Sequence, residues 1–337
     1  MAKTAFATDS PEAVKLWSER MYRDTLKEAY FARFMGTTEN SIVQRDTQMK
    51  KSAGDRVRFA IAMRLQGSGV KSGQTLEGKE ERLVTHNFDV ILEQYRHAVR
   101  DAGALDRQRV MFSIDQVSLE RLKGWGAEKI DQLLFNAALE NNSKAFFGAG
   151  SATSTAALTA ADKITPELLS KVKTWAITGG DRKQTPFRPV RVDGRNYFVC
   201  VVHPDVAFDL IMDPVFQQAR REAEVRGREN PLFTGAYMIW DGIVVHAHEN
   251  IPIFTNWGAT GTVPGASCLF MGAQALVWAE GGREGARPQI ITEQFDYKNE
   301  RGYGWEILAR AGKPRFNNKD YAVAAVNVAR TQISDAA

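Results

Sequence analysis

The feature that most constrains this chain is a run of alternating apolar and polar residues just after Asp55. Val57, Phe59, Ile61, Met63 and Leu65 alternate with Arg56, Arg58, Ala60, Ala62 and Arg64. A repeat of two sends successive side chains to opposite faces, so this run predicts a strand with one apolar side. Phe88, Val90 and Leu92 alternate with Asp89 and Glu93 and supply a second, less regular strand, in which Ile91 falls on the opposite face. Between them lies a polar tip containing Gly67, Gly69, Gly73 and Gly78. Asp55 to Tyr95 therefore reads as one long β-hairpin. An isolated two-stranded ribbon is marginal in water, and its apolar face needs a cover. The first arm, Arg56 to Leu65, spans roughly 33 Å when extended. Its five large apolar side chains contribute ~1.5–3 kcal/mol each when fully buried. The cover comes either from the rest of the chain or from a neighbouring copy. The second option points toward an assembly protein, with a loop held loosely in the free subunit and ordered by its neighbour.

A chain of 337 residues makes one large domain or two and is long enough for a substantial core. Its net charge of +4 is too small to argue for nucleic-acid binding. The two cysteines, Cys200 and Cys268, both sit in apolar runs and are expected as buried free thiols, which excludes a disulfide scaffold. The longest mostly apolar run, Cys268 to Ala279, falls well short of the ~20 residues of a membrane span. No apolar core of a secretion signal opens the chain.

The texture divides the rest. Residues 1–54 read as a mixed-charge arm with a helix start at Ser10-Pro11-Glu12 and scattered anchors at Leu16, Trp17, Met21, Leu26, Tyr30, Phe31 and Phe34. Asp115 is placed to cap a long helix running toward Phe147, with Leu122, Trp125, Ile130, Leu133, Leu134, Ala137 and Ala138 as its apolar stripe and Gly124 and Gly126 as weak points. Residues 148–159 read as a linker. From Thr165 an α+β pattern begins. Helices are expected after Thr165-Pro166, after His203-Pro204 and after Asp213-Pro214, the last ending by Gly227. Tyr197 to Val202 reads as a buried strand. One hairpin is expected over Ala236 to His246, turning at Asp241-Gly242. Another is expected from Gln289 to Ala309, turning through Asn299 to Gly302.

Chemistry is thin. His246, His248 and Glu249 form the best candidate constellation, since two histidines two apart on a strand point the same way and could bind zinc with a third ligand. The competing reading is a pair of rings at a strand end, hydrogen-bonded or solvated. Cys200 lies three residues from His203 but inside an apolar strand, which does not favour a thiolate. No phosphate loop and no Gly-x-Ser-x-Gly elbow is present. The Arg220, Arg221, Arg226 and Arg228 cluster is interleaved with Glu222, Glu224 and Glu229, as on a solvated helix face.

An ordered set of short runs resembles the major capsid proteins of the phage N-four type. The runs are Met21-Tyr-Arg-Asp24, Ala32-Arg-Phe-Met-Gly36, Ala53-Gly-Asp-Arg-Val-Arg-Phe59, Thr75-Leu-Glu-Gly-Lys-Glu-Glu81 and Gln94-Tyr-Arg-His-Ala-Val-Arg100. Val202-His-Pro-Asp-Val206, Trp240-Asp-Gly-Ile-Val-Val-His246 and Leu269-Phe-Met-Gly-Ala-Gln-Ala275 follow, so the resemblance spans Met21 to Phe316. It implies the capsid fold of tailed phages and herpesviruses, the HK-ninety-seven type. On that fold, residues 1–54 are the N-terminal arm, and residues 55–95 are an extended loop reaching over a neighbour. Residues 96–164 are a peripheral domain with the long spine helix, 165–285 an axial domain, and 286–337 the return to the peripheral domain.

The resemblance implies that Val57, Phe59, Ile61, Met63, Leu65, Phe88, Val90 and Leu92 form the intersubunit face of the loop. It implies no catalytic residue, cofactor or metal. The partners are further copies in hexamers and pentamers, a separate scaffolding protein, a portal, in some shells a decorating protein, and packaged double-stranded DNA held without sequence preference. No membrane is involved, and the location is the virion capsid after assembly in the host cytoplasm. The alternative function is a cytoplasmic metal-dependent hydrolase built on His246, His248 and Glu249, with the hairpin as a dimerisation arm.

Overall fold

A computed structural model describes residues 29–46, 55–62, 65, 67–148, 152–182, 186–222, 238–281, 289–316 and 318–333. The expected helix start at Ser10-Pro11-Glu12, the anchors Leu16, Trp17, Met21 and Leu26, and the helix end at Gly227 lie outside the described residues.

Two sheets and one long helix organise the molecule. The central sheet has the strand order Ala145–Phe147, Val323–Ala329, Val263–Met271, Arg195–Val202, Ile243–Ala247, Met238–Trp240. Ile243–Ala247 pairs parallel with Arg195–Val202, and Val263–Met271 pairs antiparallel with both of its neighbours. Phe198 through Val202 and Val323 through Val328 are apolar at nearly every position, and their side chains are buried on both faces, as in strands covered on two sides. Cys200 and Cys268 are free thiols inside this sheet, and burial pushes the Cys268 thiol up to about 12. The hairpin at Asp241-Gly242 forms as expected, with φ of 44° and 74° at the two residues, the left-handed pair that a tight two-residue turn requires.

The second sheet, the arm sheet, contains Met35–Gly36, Val43–Asp46, Leu276–Gly281, Glu300–Gly312 and Gln289–Phe295 in that order. Glu93–Arg100 pairs with the long strand Glu300–Gly312. Along that strand Tyr303, Trp305, Ile307, Ala309 and Ala311 are buried and their neighbours are not, a period of two that faces the long helix. Two sheet assignments differ from the expected domain limits. Leu276–Gly281, expected in the axial segment 165–285, pairs with the arm sheet. Val323–Ala329, expected in the returning segment 286–337, lies inside the central sheet. Continuous apolar strands of this kind look alike in sequence, and their pairing is decided by long-range register.

The long helix runs from Ile114 to Leu139. Its cap is Ser113, whose Oγ accepts from the Gln116 amide, and not Asp115, which sits in the first turn and pairs with Arg301 at 2.6 Å. It stops well short of Phe147. Asn141 takes a left-handed φ of 46°, and Ala145–Phe147 becomes an edge strand of the central sheet. Lys313 closes the helix end by donating to the Glu140 carbonyl at 2.7 Å and to Asn142 Oδ1 at 2.6 Å. Gly126 does not break the helix. A Cβ there would lie 2.5 Å from the Trp305 ring, so the glycine lets the arm sheet approach the helix backbone. The hairpin Gln289–Phe295/Glu300–Gly312 turns at Asp296 to Asn299, earlier than expected.

Helix starts elsewhere fall where the sequence places them, and a side chain caps each. Thr165 Oγ1 accepts from Leu168, Asp213 Oδ1 from Val215 and Phe216, and His203 Nδ1 from Asp205.

Replacing Gly126 with Val should destabilise the isolated subunit by about 1–3 kcal/mol in urea unfolding, because the added methyls meet the Trp305 ring with no room to relax. Lys144 gives a pH test. It is 4 % exposed, lies 4.4 Å from the Phe187 ring, and burial lowers its pKa to about 8. The unfolded lysine holds its proton to higher pH, so this group adds stability as pH rises above 8. The parent should therefore gain stability relative to Lys144→Met between pH 8 and pH 10. A difference between the two that stays constant would show that Lys144 does not titrate in the fold.

Candidate assembly surface

The ribbon forms from Arg56–Ala62 and Thr85–Ile91, with Val57 opposite Val90, Phe59 opposite Phe88 and Ile61 opposite His86. Its polar face is held by Arg58, whose Nε and terminal nitrogen donate to the two oxygens of Asp89 at 2.7 and 2.9 Å. That guanidinium keeps the Asp89 carboxyl below the usual carboxylate range.

The apolar face divides into two halves. At the base, Val57, Phe59 and Val90 are buried in a cluster with Val277 and Ala279 of the arm sheet, with Phe88 and Leu92 partly buried beside them. Two glycines make room: a Cβ on Gly312 would lie 2.8 Å from Phe88, and one on Gly281 would lie 2.4 Å from Leu92. The expectation that the whole apolar face awaits a neighbour is corrected here. Val57, Phe59 and Val90 are covered by the subunit's own sheet, because the sheet offers an apolar strand, Leu276–Gly281, flanked by these glycine sockets.

Toward the tip the cover ends. Leu65, Leu76, Leu83 and Val84 are exposed, Leu76 at 58 % and Leu83 at 59 %. Gly69, Gly73 and Gly78 have positive φ, and nothing lies within 4 Å of a Cβ built on any of them. Ile91 is exposed on the opposite face, as its place in the alternation predicts. The side chain of Ile61 and all of Met63 lie outside the described residues.

The histidine rings pack among aromatic side chains. His246 is fully buried, with its ring centroid 5.2 Å from that of Phe34 and 5.9 Å from that of Tyr30. His248 lies 4.4 Å from Tyr30 and 4.9 Å from Phe135, and its Nδ1 accepts from the Asn250 amide. Tyr30 of the arm lies against both rings. Among the described residues no three His, Cys, Asp or Glu side chains gather as a metal site.

What the histidines help to build is a seat for the arm. The turn Tyr30–Phe34 is capped from a distance by Asp131 of the long helix, which accepts from the Tyr30 amide at 2.5 Å and the Phe31 amide at 3.0 Å. Burial raises the Asp131 pKa, and the two amide bonds oppose that rise. Glu249 lines an open cleft of about 860 Å³ beside this seat, with Arg33, Trp125, Glu128 and Lys129. Asp131 was not singled out in the sequence. The signal available was an acidic residue one position after Ile130, within the helix's apolar stripe.

A family model described as phage capsid protein matches residues 5–332 of this chain. The major capsid protein of Pseudomonas phage KPP25 is 29% identical over 376 residues, covering 97% of each protein. Among solved structures, the capsid of Ralstonia phage GP4 is 30% identical, covers 99% of this chain and 100% of that one, and superposes with a TM-score of 0.85. The capsid asymmetric unit of cyanophage Pam1 is 23% identical, covers 98% of this chain and 99% of that one, and shares the fold with a TM-score of 0.77.

Because Phe59 is packed within its own subunit, Phe59→Ala should cost the isolated subunit about 3–5 kcal/mol in chemical denaturation. A variant as stable as the parent would mean that the ribbon base is not docked in the free subunit.

Proposed function

The chain belongs to the phage capsid protein family, and from that membership we propose how its parts share the work of closing a shell. Its fold is the α+β capsid fold of the HK-ninety-seven type. It is a phage structural protein, a virion component whose copies associate into a capsid. The observation that carries the finer reading is the divided ribbon: a base fixed in glycine sockets and a tip with uncovered Leu65, Leu76, Leu83 and Val84.

The tip is the clasp. It projects from one subunit and lays those leucines and Val84 on a neighbouring copy. Val57, Phe59, Phe88, Val90 and Leu92 set the angle at which it leaves. The central sheet with its helices is the axial part, gathered into pentamers and hexamers. The arm sheet and long helix are the peripheral part, spanning between them. The closed shell is icosahedral and encloses double-stranded DNA. Residues 1–58 hold eleven Lys or Arg against eight Asp or Glu, a net of +3. An inner surface facing phosphates avoids strong acidity, and this balance suits contact without sequence reading. A separate scaffolding protein, a portal and a decorating protein are the expected partners. Assembly takes place in the host cytoplasm, and the chain performs no catalysis.

The test replaces Leu76, Leu83 and Val84 together with Ser. The isolated subunit should keep its melting temperature, since these side chains are already in water, while closed shells should disappear from negative-stain electron micrographs. Limited proteolysis between Gly67 and Gly78 should be fast in free subunits and slow in shells. Equal cleavage in both, or normal shells from the triple variant, would remove the ribbon tip from the interface.

A further inference from the structure

Where the chain leaves the central sheet after Val323–Ala329, it is strapped to a helix. The Arg330 amide donates to the Pro264 carbonyl at 3.0 Å, and the Thr331 amide donates to Asp209 Oδ2 at 2.7 Å. The Thr331 hydroxyl donates to Asp209 Oδ1 at 2.5 Å and accepts from Lys163 at 2.6 Å. The Arg330 guanidinium reaches Asp205 Oδ2. Asp205 and Asp209 lie four residues apart on the helix Pro204–Met212 and so share one face. Two carboxylates of one helix thus hold two consecutive residues of the segment beyond the strand.

One of these carboxylates has a second cation within reach. His203 caps the helix, and its Nδ1 accepts from the Asp205 amide at 3.2 Å, so this nitrogen presents a lone pair. The same Nδ1 lies 3.6 Å from Asp205 Oδ2, the oxygen that Arg330 holds. Arg330 is 6 % exposed, and its Nε has no partner among the described residues. Asp205 is therefore the charge that balances a buried guanidinium. The other ionisable groups near the ring are accounted for. Asp209, one turn further on, is paired with Lys163 at 2.9 Å. The Cys268 thiol of Val263–Met271 takes a hydrogen bond from the His203 amide and is pushed up by burial to about 12, so it stays neutral. His248 and Glu249, which follow Ile243–Ala247, line the cleft beside the arm together with Pro204.

A proton on Nδ1 changes both bonds at once. The ring no longer accepts from the Asp205 amide, so the helix cap is lost. It also becomes a second cation competing for one carboxylate oxygen. We propose that His203, Asp205 and Arg330 form an acid-sensitive latch, in which a proton on the ring draws Asp205 away from Arg330 and frees the segment from Arg330 onward from the helix. The proton comes from solvent, and no other covalent bond changes. Burial pushes the His203 pKa down, Asp205 pulls it up, and Arg330 pushes it down. The net direction is downward, so the latched ring binds a proton less readily than a free histidine, which titrates near ~6.5. The latch is therefore complete above that pH and weakens as pH falls through it. It is built within one subunit and does not rest on the shell reading.

The test is hydrogen exchange of the full chain, read by mass spectrometry over Arg330 and Thr331 at about pH 7.5 and about pH 5, with intrinsic rates corrected. In the parent, protection of these amides should fall at least about three-fold in acid, while the amides of Val263–Met271 keep theirs. His203→Asn keeps an acceptor at the cap and takes no proton, so its protection should be the same at both pH values. Arg330→Gln removes the competing cation, so protection should be lower at neutral pH and should fall no further in acid. Level protection in the parent, or an equal fall in His203→Asn or in Arg330→Gln, overturns the latch. Acid loss of protection in Val263–Met271 together with Arg330 and Thr331 overturns it too, because the whole sheet is then opening.

Discussion

One buried ammonium group, that of Lys313, joins the three parts of this subunit. It follows directly on the strand Glu300–Gly312 of the arm sheet. It donates to the carbonyl oxygen that ends the long helix, and it pairs at 3.4 Å with Asp320, which lies just before the strand Val323–Ala329 of the central sheet. A buried cation is unfavourable without partners, and burial lowers the Lys313 pKa. Here the helix C-terminus supplies negative dipole, Asn142 an oxygen and Asp320 a full charge. Asp320 in turn accepts from Ser143 and Arg315, so the junction is a network, not a single bond. Breaking it would separate helix, arm sheet and central sheet at once.

The ribbon shows how one apolar stripe can serve two ends. Its alternation is uniform in sequence, yet the structure spends the base inside the subunit and leaves the tip outside. What decides is the other surface. Gly281 and Gly312 are the places where ribbon side chains fit against the sheet. The exposed side chains toward the tip are the ones left for another surface.

Much of the fold was legible where the signal is local. The alternation behind the strand Arg56–Ala62, the helix starts after Thr165, His203 and Asp213, and the turn at Asp241-Gly242 each follow from a few adjacent residues. What could not be read depends on partners far along the chain. Asp131 caps a turn about a hundred residues earlier, and Val323–Ala329 enters the middle of a sheet begun long before. His246 and His248 looked like ligands because two of the requirements for a metal are local. The aromatic rings that meet them are not. The family resemblance supplied the shell, which the residues alone left open between a cover from the same chain and one from another copy.

The glycine sockets also set a mechanical ratio. Contact with the sheet lies at the ribbon's base, so the five residues from Phe88 out to Leu83 act as a lever arm of at most about 17 Å at ~3.3 Å per residue. A tilt of about 12° at the sockets sweeps its end through roughly 3.5 Å, on the scale of one residue of strand. A small rocking of Phe88 and Leu92 over Gly312 and Gly281 is thus enough to change which residue the exposed Leu83 and Val84 can meet.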